Sequence, residues 1–527
     1  MAVFGKNILE NLTTGMYSDR RVMYREYVQN ACDAIDTAIK IGVLKRENAR
    51  IDITINEKEH YIEIADNGSG IFSTEFERVL SDIANSDKIR SEDKGFRGIG
   101  RLCGLAYCAQ LQFISSTKGE PTANIMTWDA KKMRTMLNDN KKRRADEVLS
   151  EIMHISCEVE DVDSHYFKVI MQDISKESET LLNSENISDY LAFESPVPYD
   201  SHFMFCGQIM DHAKKLGVQI DEYPIYINDE QILKKYRTRI YVNSKVHDEV
   251  KTIQFEDFYD ENDNLMAWMW FGLSSLNGQM KSENIQRGLR LRKGNIQIGT
   301  SRTLRDQGLF PDGRANNYFI GEIHAIHPDL IPNARRDYFN ENTTRSTFEA
   351  SLKKFFIILW KLCNVASDDR SAYRNIQIYH DVAENYREKE KTGFAGGVER
   401  KALDIELEKK RILAEKAMQR LSRPITPEPS DEETQLVQTV KNIVKKVEDK
   451  DNTAMKRNIP PLPISYNDED SNSRKPKPKF ITDDLSKLSR ETRKVVSRIY
   501  DIINQYMPDK AEELIAKIQE ALKSKMD

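Results

Sequence analysis

Residues 26–34 read Glu26-Tyr27-Val28-Gln29-Asn30-Ala31-Cys32-Asp33-Ala34. Glu26, Asn30 and Asp33 stand at i, i+4 and i+7, which sets three polar side chains on one face of an otherwise apolar helix. A carboxylate one turn from a primary amide suits a hydrolytic metal–nucleotide site. The amide oxygen is a ligand for Mg2+, which takes oxygen donors and keeps several waters. The carboxylate can polarise an attacking water. Alone, the same pattern describes a solvated polar stripe.

Outward from this helix lie two further boxes. Residues 51–55 (IDITI) and 61–65 (YIEIA) alternate like paired strands, joined by the polar connection 56–60. The second strand runs into Asp66-Asn67-Gly68-Ser69-Gly70. Glycines there let the backbone approach a ligand or take positive φ, and an acid at a strand end can accept a hydrogen bond from an amino group such as that of adenine. An ordinary Asx turn would look the same. The third box, Gly95-Phe96-Arg97-Gly98-Ile99-Gly100, feeds a helical run and so offers backbone N–H groups to phosphate. Its GxxGxG spacing is not the dinucleotide GxGxxG, and no GxxxxGK[ST] occurs in the chain.

Helix ExxxN, strand-end DxGxG and loop GxxGxG, in that order within 75 residues, resemble the ATP site of the GHKL ATPases: Hsp90, MutL, type II topoisomerases, MORC proteins and histidine kinases. The likeness to Hsp90 extends to LTTGMYSDRRVMYREYVQNACDAID (12–36), DIANSDK (82–88) and DHAKKLGVQIDEYPIYI (211–227). The resemblance implies ATP and Mg2+ as substrate and cofactor, with Glu26 as general base and Asn30 as Mg2+ ligand. It implies that Asp66 reads the adenine amino group, with Asp33, Gly68 and Gly70 in the pocket and Asn85 near the ribose. Gly95, Gly98, Ile99 and Gly100 would hold the phosphates, and residues 85–101 would form a mobile lid. Arg101 stands where Hsp90 proteins carry an aromatic, and Ser164-His165-Tyr166-Phe167 replaces their Gly-Thr before the last pocket strand.

A GHKL domain is completed by a cation from the following transducer domain. PNARRDYF (332–339) resembles the Hsp90 loop that carries its catalytic arginine, which puts Arg336 in that slot beside Arg335. A guanidinium fork suits a developing phosphoryl charge. RGLRLRKGNIQIG (287–299) offers Lys293, comparable to the lysine of MutL and MORC proteins.

The expected fold class is α+β. A GHKL (Bergerat) α/β sandwich, with helices on one face of a mixed sheet, fills 1–202. Residues 7–48 read as helix, 111–115, 123–128 and 166–171 as further strands, and 130–152 as a charged, basic helical insert whose charges suit a solvated face. A joining segment covers 203–237, and a mixed α/β transducer covers 238–365, with strands at 238–242, 266–272, 289–291, 296–298 and 318–326 and a helix at 346–364. A helical, coiled-coil-like stretch follows at 366–423, broken near Gly393, Gly396 and Gly397. A Pro-rich flexible linker spans 424–480 and holds one amphipathic island, 431–449. A helix pair ends the chain at 481–527, expected to bury Leu485, Leu488, Val495, Ile499 and Ile502 in its first member and Leu514, Ile515, Ile518 and Leu522 in its second. The large Hsp90 C-terminal dimerisation domain is not evident.

Among 527 residues, 79 basic and 84 acidic side chains leave a net charge of -5, which argues against a nucleic-acid-coating protein. Six cysteines stand singly, as suits free thiols in a reducing compartment. No signal pattern opens the sequence, and no apolar run approaches the roughly 20 residues that span a bilayer. The expectation is a cytoplasmic homodimer without a membrane partner, acting on protein clients or a dedicated effector, as in antiphage defence. GFRG (95–98) also begins the MutL glycine box, so a DNA-acting ATPase is the alternative, distinguished by salt-sensitive DNA binding.

Overall fold

The computed structural model describes residues 5–13, 19–82, 100–423, 432–451 and 478–524. They form two compact units, Met1–Lys361 and Leu362–Asp527.

The first unit opens with α1 (Asn7–Thr13) and α2 (Val22–Lys40). The single helix expected over 7–48 is therefore divided, and α2 ends eight residues early. Gly42 takes φ +77° and its amide returns to the Ile39 carbonyl, while the Val43 and Leu44 amides both reach Ala38. The helix is thus capped by a left-handed glycine.

Next come β1 (Ile51–Asn56), β2 (Tyr61–Asp66), α3 (Ser73–Ser81), β3 (Gln110–Ser116) and β4 (Thr122–Asp129). Then follow α4 (Ala130–Asn138), α5 (Ala145–Ile152), β5 (Met153–Val159), β6 (Tyr166–Gln172), α6 (Ser184–Glu194), α7 (Cys206–Lys215), β7 (Ile225–Ile227) and β8 (Glu230–Gln231). The sheet order is β5-β4-β3-β6-β2-β1-β7-β8, and β1 with β7 is its parallel pair. Ile51, Ile53 and Ile55 of β1, Ile62 and Ile64 of β2, and Leu111 and Phe113 of β3 are buried, and α2 contributes Tyr24, Val28 and Ile35 to the same core. The alternation is that of a sheet with one face covered by helices. Strand β5 has no buried face, so its sequence carries no alternation to announce it. The basic insert is the pair α4 and α5, and its charges are largely answered: Arg143 pairs with Glu151 at 2.9 Å and Arg144 with Asp146 at 2.6 Å.

A second sheet follows in the same unit. After the hairpin β9 (Arg239–Val242) and β10 (Lys245–Glu249) come β11 (Thr252–Tyr259), β12 (Leu265–Leu273), β13 (Gly288–Lys293), β14 (Ile296–Ile298), the short helix α8 (Thr303–Asp306) and β15 (Ile320–Ala325). Their order is β11-β12-β15-β13-β14, with β13 and β15 parallel. Strand β12 is buried on both faces, as its MAWMWFG run requires. Under this sheet Glu322 is fully buried against Arg292 at 2.6 Å and Lys234 at 2.8 Å, with Tyr236 and His324 beside them. Burial opposes ionisation of Glu322, but the charges of Arg292 and Lys234 hold its carboxyl well below the usual range. Burial in turn presses Lys234 down to about 7.

Helix α9 (Thr343–Thr392) ends where Gly393 takes φ +111°. In the second unit α10 (Gly397–Ser422), α11 (Glu432–Asp451), α12 (Arg490–Tyr506) and α13 (Ala511–Lys523) follow. The 431–449 island is helical, and of the apolar face its spacing predicts, Leu436, Val440, Ile443 and Val444 are buried while Val447 is half-buried. In α12 the expectation fails: Val495, Ile499 and Ile502 are exposed, and Val496 and Tyr500 are buried instead. The helix carries apolar residues at both 495/499/502 and 496/500/503, one residue apart, so periodicity alone could not choose the inward stripe. In α13 Ile515 is buried, with Ile518 and Leu522 packed against the same cluster. No described helix is long and apolar enough to cross a membrane.

Candidate nucleotide site

Alternation along β2 carries Asp66 to the same helix-covered face as Ile62 and Ile64. There its Oδ1 accepts the Gly68 amide at 2.8 Å. The turn rests directly on α2. The Ser69 amide donates to the Ala34 carbonyl at 3.1 Å, and a Cβ on Gly68 would stand 2.6 Å from that of Ala34. Gly70 takes φ +64°, and a Cβ there would collide with the Ser116 carbonyl. The glycines of the second box are therefore what let the strand end, α2 and β3 close on one another.

On α2, Glu26 and Asp33 are buried and Asn30 is half-buried. A Cβ on Gly100 would lie 2.6 Å from Glu26 Oε2, so the last glycine of the third box abuts the carboxylate of the first. The structure thus brings Glu26, Asn30, Asp33, Asp66, Gly68, Gly70 and Gly100 onto three adjoining elements. Asn85, Gly95, Gly98 and Ile99, and the expected lid up to residue 99, lie outside the described residues.

Several residues that the motifs did not point to complete the site. Arg101, on the 3-10 turn Gly100–Ala106, donates to the carbonyls of Val79 and Asp82 at the end of α3. It ties together the two ends of the 83–99 stretch, and burial lowers it to about 10. His165, where the Gly-Thr is missing, places Nδ1 2.9 Å from the Gly68 carbonyl and so supports the second box from the far side. Thr117 Oγ1 is buried without a hydrogen-bond partner and would stand 2.9 Å from a Cβ on Gly70. An orphaned hydroxyl there fits a polar ligand beside Asp66. The Gln29 amide, one turn from Glu26, is likewise buried with neither polar atom partnered. For Mg2+ the residues fit a sparse site. Among the described residues no group of three or more His, Cys, Asp or Glu side chains could hold a metal. The Asn30 oxygen would serve as protein ligand, the rest coming from phosphate and water, as Mg2+ commonly accepts.

On the other side of Glu26 lies Arg25. Its Nη2 donates to Glu26 Oε1 at 3.1 Å and its Nη1 stands 3.8 Å from Glu194 Oε2 at the end of α6. Glu194 Oε1 accepts from Gln297 Nε2 at 2.6 Å, and Gln297 Oε1 accepts from Arg290 Nη1 at 2.8 Å. This buried chain runs from the α2 carboxylate to β13 and β14 of the second sheet. Burial pushes Glu194 up to about 7. The only sequence signal for Arg25 is a charge set among the apolar positions Met23, Tyr24 and Val28. Glu194 gave none.

The two candidate cations separate. Arg336 is buried at φ +54° in a turn closed by Asn333, whose amide donates to the Tyr338 carbonyl at 2.8 Å; the Gly299 amide fixes the Arg336 carbonyl at 2.7 Å. Arg335 and Arg336 line a 740 Å³ cavity together with Arg25. Lys293 instead donates to the carbonyls of Ile326 at 3.0 Å and His327 at 2.7 Å, and burial lowers it to about 8. It does not line that cavity.

Residues 19–162 match the family described as histidine kinase-, DNA gyrase B-, and HSP90-like ATPase. The chain is similar to the chaperone protein HtpG of Bacteroides thetaiotaomicron, 23% identical over 65% of this chain and 48% of the relative. It is similar to HtpG of Porphyromonas gingivalis, 21% identical over 67% and 50%. For HtpG of Azorhizobium caulinodans the figures are 29% identity over 24% and 22%. The chain thus spans about half the length of the first two relatives. The first two boxes and Gly100 meet at α2, and the match over 19–162 together with the similarity to HtpG supports a divergent, Hsp90-like GHKL ATPase domain in this part of the chain.

Proposed function

We propose that the chain binds ATP and hydrolyses it to ADP and phosphate, using the site around α2. The observation that carries this reading is the apposition of Glu26 and Gly100. It sets a buried carboxylate against the point where the phosphate loop enters the fold. Asp66 accepts a hydrogen bond from the adenine amino group, and the Thr117 hydroxyl supplies a further polar contact on that side. Asn30 holds Mg2+, whose role when bound is to neutralise phosphate charge. Glu26 takes a proton at its carboxylate from the attacking water. Arg336 supplies positive charge to the phosphoryl group from the second sheet. We further infer that hydrolysis drives a dimeric clamp that remodels partner proteins, an inference supported by the likeness to HtpG chaperones.

The test is nucleotide binding and phosphate release by the purified chain. Glu26→Ala should keep ATP affinity and lose about 10²- to 10⁴-fold in turnover, the usual contribution of a general base. Turnover equal to that of the unaltered chain would remove Glu26 from this role. Co-purification of trapped partners with Glu26→Ala, absent with Asp66→Asn, would support the clamp.

A further inference from the structure

The first sheet has two unlike edges. One is β8, two residues long, and the other is β5, seven residues long. Folds usually keep an open edge short or interrupt it with Lys or Pro. β5 reads Met153-His154-Ile155-Ser156-Cys157-Glu158-Val159 and holds neither, and His154 to Val159 are exposed without a break. Among the described residues only β4 pairs with it.

The ladder fixes which backbone groups point outward. The Glu160 amide donates to the Pro121 carbonyl at 3.0 Å, so in this antiparallel register Glu158, Ser156 and His154 also turn their amides and carbonyls toward β4. Met153, Ile155, Cys157 and Val159 turn theirs away. The Met153 amide is taken by the Leu149 carbonyl. Ile155, Cys157 and Val159 are left as a row of donors and acceptors on the open margin. Their side chains share the face of the buried Met126 and Trp128 on β4, yet Ile155 is 37% and Val159 93% exposed. His154, Ser156 and Glu158 occupy the opposite face.

This strand is complementary to itself about Ser156. Set antiparallel to a second copy across a two-fold axis there, Met153 meets Val159, Ile155 meets Cys157 and His154 meets Glu158 of the other copy. Apolar groups then face apolar groups on one side of the sheet, and a base faces an acid on the other. Moving the axis to Cys157 would set Met153 against Asp161 and Glu158 against Ser156.

We propose that β5 is a homotypic interface, at which a second copy of this chain adds its own β5 about Ser156, so that one sheet runs through both copies. The pairing gives the outward groups of Ile155, Cys157 and Val159 their hydrogen bonds and is isologous, as a two-fold contact must be. It offers an interface for the dimer inferred above but does not rest on ATP turnover, since no residue of the nucleotide site lies on β5.

The experiment is sedimentation equilibrium of the full chain without nucleotide, joined to cysteine crosslinking. An edge this short covers less than the roughly 1,200 Å² of a stable interface, so a dimer with a Kd on the order of 10–100 µM is expected. Cys157→Pro removes one outward amide and leaves the β4 ladder intact. It should weaken the dimer at least about ten-fold while the melting temperature holds. His154→Glu should weaken it about five-fold, by setting like charges opposite one another, and His154→Glu with Glu158→Lys should restore it. In a Cys157→Ser background, Ser156→Cys should link two copies on mild oxidation, because residues on the axis stand about 4.5 Å apart. His154→Cys and Glu158→Cys, each about 13 Å from its counterpart, should not. A chain that stays monomeric at concentrations well above that Kd, with or without exchange-protected β5 amides, would overturn the proposal. So would a dimer indifferent to Cys157→Pro and to the charge exchange, or crosslinking that favours position 154 or 158. Loss of ATP hydrolysis with the dimer intact would count against the proposed ATPase alone.

Discussion

The Arg25 guanidinium holds the Glu26 carboxylate, Nη2 to Oε1 at 3.1 Å, one residue away on the same helix. If Glu26 is the base, Arg25 fixes where its lone pairs point. Arg25→Met keeps the aliphatic stem and removes the fork. Turnover is expected to fall about ten-fold, equivalent to ~1.4 kcal/mol of barrier, with ATP affinity within about two-fold. Steady-state phosphate release and nucleotide titration separate the two effects. An unchanged turnover would mean that the pair is structural.

Arg336 and Lys293 should part company on mutation. Arg336→Ala is expected to cost about 10²- to 10³-fold in turnover, as the loss of a charge-stabilising donor does. Lys293→Ala should leave turnover within about three-fold. It should lower stability by roughly 1.5–3 kcal/mol, because the ammonium bonds two backbone carbonyls. The reverse pattern would assign the cation to Lys293.

Glu194 gives a pH signature. Its folded value of about 7 lies above the ordinary 4.5, so between these values the folded chain holds a proton that the unfolded chain has lost. Its contribution to stability is complete below pH 4.5 and falls as pH rises toward 7, by roughly 1.4 kcal/mol per unit at most. Glu194→Gln should flatten that fall. Urea unfolding of both proteins across the window measures the difference, and parallel curves would show that Glu194 titrates normally.

The Glu322 cluster should be the most sensitive charge set in the first unit. Glu322→Ala leaves Arg292 and Lys234 buried without their carboxylate, at a cost of about 3–5 kcal/mol. Lys517→Ala, which breaks an exposed pair with Glu513, should cost less than about 1 kcal/mol. Denaturant midpoints of the two variants provide the comparison, and a mild Glu322→Ala would mean that water enters the cluster.

What the sequence determined by itself was local. Helical spacing put Glu26, Asn30 and Asp33 on one face, strand alternation put Asp66 on the covered side of β2, and glycine spacing marked where backbone must pass close. Periodicity also placed the buried stripe of α11, but it could not choose between the two stripes of α12. Such features are written in neighbouring residues because they follow from the 3.6- and 2-residue repeats of the backbone. The tertiary structure decided everything that depends on distant segments meeting. It set Gly100 against Glu26, His165 under Gly68, and Arg25 between Glu26 and Glu194. It sent Lys293 to the carbonyls of Ile326 and His327 and placed Arg335 and Arg336 in the cavity with Arg25. No local pattern records these choices, because a salt bridge or an unmatched charge is fixed by which chain segment packs opposite, not by what stands beside it in sequence.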